Sequence, residues 1–137
     1  MSIRYAATLR GTRLDDVTAA VGSGGKLRIY DGVQPATGGA VTTLIAELSW
    51  AGAFATAASI SSNGGDTLLV VNDPVTSNVT KLGTTTATWF RVVSSANVFV
   101  FDGSVGMGTG DLQLGTTSLS FGQPIDITSF IIHEGNP

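Results

Sequence analysis

The stretch that most constrains the fold runs from residue 84 to residue 106 and holds two β-branched and aromatic segments separated by a short polar break. Residues 87–93 and 98–101 have the composition that fits a pleated strand. Residues 94–97 between them have the length of a hairpin loop. Both side-chain directions of 98–101 are apolar, so we expect this strand to be covered on both faces. The stretch therefore predicts a central hairpin in the core of an all-β domain.

Four residues carry specific expectations, three of them in this stretch and one at the end of the first expected strand. Trp89 lies among apolar neighbours in the first strand, so we expect it to be a core residue and not a ligand platform. Arg91 is a lone charge in the same apolar strand, which places it either at an exposed edge or beside a buried acid. Asp31 and Asp102 each follow an aromatic residue at a strand end and precede a glycine. We expect both to cap tight turns in which the glycine adopts a positive φ.

The rest of the chain consists of short strands with frequent turn signals, preceded by one helix candidate at residues 5–21. Apolar residues recur there with helical spacing, and the glycine-rich sequence at 22–25 ends the segment. Further strands are expected at 26–31, 41–50, 67–71, 111–114, 118–121 and 125–134. We predict an all-β fold, a single β-sandwich for which a jelly roll is the candidate type, with one short N-terminal helix. The expected organisation is an N-terminal helical arm (1–22) followed by a β-sandwich domain (23–137).

Low charge is the main compositional constraint on function. The 137 residues suffice for one domain with a core. Charged residues make up 12% of the chain, against about 25% in typical domains. The chain is instead rich in small and hydroxyl-bearing residues, with 18 threonines, 13 serines and 18 glycines. This composition favours a surface covered by copies of the same chain or by a partner; the alternative is a threonine-rich β-domain without such assembly.

Positive charge is concentrated near the N-terminus. Residues 1–30 hold five basic and two acidic residues, whereas residues 31–137 hold two basic and eight acidic ones. An acidic body does not favour nucleic-acid binding. The basic segment is suited to docking on an acidic neighbour, and the candidate partner-contact residues are Arg4, Arg10 and Arg13. The alternative for these arginines is a solvated helix face.

The chain has no cysteine, which excludes disulfides, thiol catalysis and thiolate metal sites. No apolar run approaches the roughly 20 residues of a membrane-spanning helix. The first residues also lack the apolar core of a signal peptide. We therefore expect synthesis in a cytoplasm and no membrane partner.

Few residues suit catalysis or metal binding. His133 is the only histidine and lies four residues before the end, a poor position for a catalytic triad and insufficient for a zinc site. Asp31, Asp102 and Asp111 are candidates for a glycosidase pair or a calcium loop, but they lack the spacing of a calcium-binding loop. The glycine clusters lack the context of a phosphate-binding loop. We predict no enzyme activity, no catalytic residue, no cofactor and no metal.

Six segments in a characteristic order carry a family resemblance. They are residues 24–37 (GGKLRIYDGVQPAT), 44–48 (LIAEL), 87–92 (ATWFRV), 101–106 (FDGSVG), 111–114 (DLQL) and 122–130 (GQPIDITSF). Each is a simple strand-and-turn pattern, so the specificity comes from their order. In this order and spacing they resemble a family of small virion proteins of tailed bacteriophages, and the similarity covers nearly the whole chain.

The resemblance implies a structural role in a phage particle, made in the host cytoplasm and located in the virion. The expected role is a capsid decoration (cement) protein, which binds the assembled head shell and so stabilises it by mass action. The implied partners are the major capsid protein and further copies of the chain, with a trimer as one candidate form. The alternatives are a tail or head–tail connector component and a carbohydrate-binding β-sandwich module, which predicts an exposed aromatic platform.

Overall fold

The computed structural model describes residues 3–60 and 66–135, which contain one helix and ten strands. Helix α1 spans Ala7–Val21. The strands are β1 (Lys26–Tyr30), β2 (Leu44–Ser49), β3 (Ser59–Ile60), β4 (Asp66–Val70), β5 (Thr84–Thr86), β6 (Trp89–Val93), β7 (Phe99–Gly106), β8 (Leu112–Leu114), β9 (Ser118–Ser120) and β10 (Ile127–Gly135). The prediction of a mostly β chain with one short helix is confirmed.

Eight of these strands form one large mixed sheet in the order β2-β1-β6-β7-β8-β10-β4-β3. Neighbouring strands in this sheet are antiparallel, except that β7 and β8 run parallel. Strands β5 and β9 form a separate two-stranded ribbon, and β5, a run of three threonines, was not predicted. The finer prediction of a β-sandwich or jelly roll is not confirmed by this strand order.

The large sheet curls around an aromatic core. Phe90 on β6 and Phe130 on β10 are three strand positions apart, which in a flat sheet would separate them by about 14 Å. Their ring centroids are 5.1 Å apart, so the inner faces of the two strands turn towards each other. Phe54 joins this cluster edge-on, 6.1 Å from the rings of both Phe101 and Phe130.

Alternation along β1 and β6 separates the two faces of the sheet. Leu27 and Ile29 face inward and pair in register with Val92 and Phe90. All four are fully buried. The alternate residues of both strands lie on the outer face.

Helix α1 packs against β4 and β10 and so covers the open side of the curled sheet. Its buried residues are Arg10, Leu14 and Val21, a stripe with helical spacing. Leu9 lies outside this stripe and is 46% exposed. The helix begins at Ala7 rather than at residue 5.

A second, smaller cluster lies on the outer face of the sheet. The Trp89 ring stacks on Tyr30 with centroids 4.4 Å apart. Its indole N–H donates to the Asp31 carbonyl at 3.0 Å and to Thr42 Oγ1 at 2.9 Å, both in the 31–43 loop that covers it. Trp89 is fully buried, which confirms its prediction as a core residue.

We expect Trp89→Ala to lower the free energy of unfolding by about 3–5 kcal/mol, because it removes a large buried aromatic side chain. Phe121→Ala is the matched control. Because Phe121 is 60% exposed, this substitution should change the free energy of unfolding by no more than about 0.5 kcal/mol. Chemical denaturation of both variants measures the difference. A stable Trp89→Ala variant that has lost only binding would show that the core assignment is wrong.

Candidate functional site

Four charged side chains form a row across the outer face of the sheet. The strand register places Glu47 beside Arg28, Arg28 beside Arg91, and Arg91 beside Asp102. Arg28 donates from Nε to Glu47 at 2.7 Å. Arg91 donates from Nε and Nη2 to the two Asp102 oxygens at 2.7 and 2.9 Å. Each arginine thus has its own carboxylate, and the row has no net charge.

The Arg91–Asp102 pair is the buried half of this row. The two side chains are 10% and 5% exposed. Arg91 Nη2 also donates to the Gly39 carbonyl at 3.0 Å, and its guanidinium lies 5.0 Å from the centroid of the Phe99 ring. The hydrogen bond with Asp102 raises the pKa of Arg91, an effect that burial partly opposes. Of the two placements expected for Arg91, the buried ion pair is confirmed.

The prediction that Asp102 caps a tight turn is wrong. Asp102 and Gly103 lie inside β7. Gly103 is needed there for packing, because a Cβ atom would lie 2.5 Å from the Phe90 ring. The register of β6 and β7 shifts by one residue next to Val100, which brings Asp102 opposite Arg91. Such a bulge cannot be recognised from the local sequence.

Asp31 does stand at a strand end, but it closes a longer loop. Gly32 has φ 76°, as predicted. The Asp31 carboxylate accepts from the Thr43 N–H at 3.2 Å and from Thr85 Oγ1 at 3.3 Å. It thereby joins the two ends of the 31–43 loop to the β5–β9 ribbon.

Three of the residues considered for catalysis, Asp102, Asp111 and His133, line one cleft, whereas Asp31 does not. His133 is exposed on β10, with Nδ1 3.6 Å from an Asp66 oxygen. Asp111 Oδ2 accepts from the backbone N–H and the hydroxyl of Ser104, each at 2.9 Å. Within residues 3–60 and 66–135, no three His, Cys, Asp or Glu side chains are grouped as a metal-ion site.

The three arginines proposed as partner contacts have different environments. Arg10 is buried and donates from Nη1 to the Glu134 carbonyl at 3.0 Å. Arg13 is half-exposed and lies 2.6 Å from Glu134 Oε1. Arg4 is exposed and precedes α1. In the folded chain Arg10 is therefore an internal contact, not a surface one, because it holds α1 on β10.

In the part of the sheet that the structure describes, residues 99–104 of β7 and residues 131–135 of β10 face each other across an opening and form no ladder with each other. Strand β8 lies between them but has only three residues, and it pairs with β7 only at Val105 and Gly106. It pairs with β10 only over residues 127–130. Over these residues the ladder partner of β7 is β6 and that of β10 is β4. Both partners lie on the side away from the opening. We call this opening the β7–β10 gap.

Two clefts border β7, and one of them, the inner cleft, also reaches β10. The inner cleft, of about 430 Å³, lies beside α1 and is lined mainly by apolar side chains, among them Val17, Phe90, Phe101, Phe130 and Ile132. The outer cleft, of about 420 Å³, lies between residues 34–37 and β7. Residues 100–102 line both clefts. Residues 100–102 are therefore accessible from two sides, and the β7–β10 gap is the candidate interaction site of the chain.

Comparisons with protein-family models, curated proteins and solved structures give no match. In the part of the chain that the structure describes, no helix has the length and apolar character needed to cross a membrane.

We expect Asp102→Asn to lower the free energy of unfolding by about 3 kcal/mol, because it leaves the buried Arg91 guanidinium without its counter-charge. Glu47→Gln makes the same chemical change on the exposed half of the row, where the effect should be about 0.5 kcal/mol or less. Denaturant unfolding of both variants gives the comparison. Equal losses in the two variants would contradict the assignment of Arg91–Asp102 as the stabilising pair.

Burial raises the pKa of the Tyr30 phenol above its ordinary value of 10.0, although Arg28 and Arg91 partly oppose the shift. Folding therefore favours protonated Tyr30. The stability that protonated Tyr30 contributes is fully present below pH 10.0, the ordinary pKa, and is lost as the pH rises from there through the raised pKa. The stability advantage of the native chain over Tyr30→Phe should be constant below pH 10.0 and should fall above it. Denaturation curves of both proteins across that range measure this; a constant difference would contradict it.

Proposed function

We propose that this chain is a structural protein of a tailed-bacteriophage particle, a capsid decoration protein that binds the assembled head shell and stabilises it. The six ordered segments that resemble the virion family support the proposal. The β-sandwich character implied by that family belongs to the same proposal. The low fraction of charged residues, 12%, also suits a chain whose surface is covered by a shell.

The observation that carries the proposal is an exposed apolar tip on the β5–β9 ribbon. Leu82 and Phe121 are 76% and 60% exposed. The Phe121 N–H donates to the Gly83 carbonyl at 3.1 Å, so the two side chains belong to the same end of the ribbon. We call Leu82 and Phe121 the ribbon tip. Large apolar side chains exposed at one end of an element make that end a candidate contact site.

The strands behind the tip present hydroxyl groups in place of charges. Thr84, Thr86, Ser118 and Ser120 are exposed, and the inward residue Leu119 is fully buried. Thr84 Oγ1 and Ser120 Oγ lie 2.9 Å apart and share a hydrogen bond. The ribbon is thus anchored in the core and presents an uncharged surface, which can be covered by a shell without burying an unpaired charge.

A decoration protein acts by mass action: because it binds the assembled shell and not the dissociated subunits, it adds to the free energy that holds the shell together. The chain's copy number in purified particles should then scale with that of the major capsid protein. A copy number matching one ring would favour the connector or tail alternative instead. Quantitative mass spectrometry of particles decides between these outcomes.

The carbohydrate-binding alternative predicts an exposed aromatic platform. Trp89 was expected to lie in the core and not to form such a platform. Trp89 is fully buried beneath the 31–43 loop. The decoration role therefore has the stronger support.

We expect Phe121→Asp to weaken binding to undecorated head shells by about tenfold or more, because it places a charge in the apolar contact. Met107→Asp is the matched control: Met107 is an apolar residue, 57% exposed, outside the ribbon. Its shell binding should be unchanged. Co-sedimentation of each folded variant with shells provides the measurement. Full binding by Phe121→Asp would exclude the ribbon tip as the contact, and absence of the native chain from particles would refute the role itself.

A further inference from the structure

The inner cleft is a bounded cavity, because both ends of the β7–β10 gap are closed. Helix α1 closes one end, where Arg10 donates to the Glu134 carbonyl at 3.0 Å and Arg13 lies 2.6 Å from Glu134 Oε1. Strand β8 closes the other end. The cleft that remains has a volume of about 430 Å³, which falls in the range of pockets that hold small molecules. An added strand would need an open edge, so the occupant that fits is a small molecule.

Most of the wall of the inner cleft is apolar. Phe90 and Phe130 form its floor, with side chains that are 0% and 5% exposed and ring centroids 5.1 Å apart. Val17 of α1, Phe101 and Ile132 are half-buried and line the sides. These half-buried side chains leave apolar surface in contact with water. The apolar part of a ligand would remove that surface from water, which is favourable.

One side of the floor borders a carboxylate because β7 carries a glycine there. Gly103 pairs with Phe90 across the ladder. A Cβ atom at Gly103 would lie 2.5 Å from the Phe90 ring and 3.1 Å from Asp111 Oδ2. Since glycine has no side chain, the ring and the carboxylate oxygen border the same small space. A ligand group in that space would contact both.

Neutral groups hold the Asp111 carboxylate in place. Oδ2 accepts from the backbone N–H and the hydroxyl of Ser104, each at 2.9 Å. The Asp111 N–H donates in turn to Ser104 Oγ at 3.1 Å. These bonds orient the carboxylate without neutralising it. Among the residues that the structure describes, no basic side chain lies within ion-pair distance of Asp111.

The other ionisable groups that line the inner cleft do not balance the charge of Asp111. Asp102 is paired with Arg91. His133 Nδ1 lies 3.6 Å from an Asp66 oxygen, so a proton on His133 would be balanced by that carboxylate. The cleft therefore keeps one negative charge at its rim, beside an apolar floor.

We infer that the inner cleft binds a small organic ammonium ion, with the ammonium group at Asp111 and an apolar body on the phenylalanine floor. A carboxylate forms strong, charge-assisted hydrogen bonds with an ammonium group. A neutral ligand of the same shape would lack this bond, and an anionic one would be repelled by Asp111. The inference goes beyond the proposed virion role and does not depend on it.

Three probes of similar shape and different charge test the ligand class. Phenethylammonium, phenethyl alcohol and phenylacetate are titrated separately into the native chain, and NMR follows the amide resonances of Gly103 and Ser104. The ammonium ion should bind at least about threefold more tightly than the alcohol, and phenylacetate should not bind. Equal affinities for the ammonium ion and the alcohol, or no binding of the ammonium ion, would overturn the inference.

Asp111→Asn tests the role of the carboxylate. Its amide oxygen can still accept from Ser104, so the variant should fold, which circular dichroism checks. The affinity for phenethylammonium should fall to that for phenethyl alcohol. Asp73→Asn is the matched control, since Asp73 is an exposed aspartate that lines a different cleft, and it should leave both affinities unchanged. An Asp111→Asn variant with native affinity for the ammonium ion, or an equal loss in both variants, would refute the inference.

Val17→Phe tests the location of the site. The added ring fills space in the cleft, so the affinities for phenethylammonium and for phenethyl alcohol should both fall at least about threefold. Val33→Phe is the control outside the cleft, at a residue that is 83% exposed, and should change neither. Native affinity in Val17→Phe would contradict the assignment to this cleft. Tighter binding of a lysine-containing peptide than of phenethylammonium would assign the cleft to a protein partner and would also overturn the inference.

Discussion

The outer half of this structure depends on the ion pair between Arg91 and Asp102. Its two parallel hydrogen bonds require the residues to be directly opposite each other, so the pair fixes the register of β6 against β7. The same guanidinium holds the 31–43 loop through the Gly39 carbonyl. That loop covers Trp89, which is why an aromatic residue on the outer face is fully buried. Removing either charge would leave the other buried without a partner.

The register that satisfies this pair also shapes the opposite edge of β7. A bulge adds one residue at Val100, and bulges bend and twist a strand locally. On that edge β8 is too short to bridge β7 and β10 along their whole length. The irregularity that pairs Arg91 on one side of β7 thus accompanies an open edge on the other. In this sheet, a requirement of internal electrostatics and an opening for a partner arise from the same strand.

Local composition was enough to predict the hairpin, the helix and the burial of Trp89, because each depends on neighbours in the sequence. The role of Asp102 was not predictable in this way. If the strands paired regularly from the hairpin bond between Ser94 and Val98, Phe101 would lie opposite Arg91. The bulge shifts the register by one residue and places Asp102 there instead. One signal was present: a lone arginine in an apolar strand needs a nearby acid, and the facing strand offers one. The β7–β10 gap gave no signal, because it depends on strand order and on the length of β8.

The proposed shell contact suits a weakly charged surface. The N-terminal arginines suggested docking through ion pairs, which salt screens. Arg10 and Arg13 are instead used to hold α1 on β10, so little free positive charge remains for a neighbour. The ribbon tip relies instead on burial of apolar area. It requires no complementary charge, so this contact should persist at salt concentrations that dissociate an assembly held by surface ion pairs.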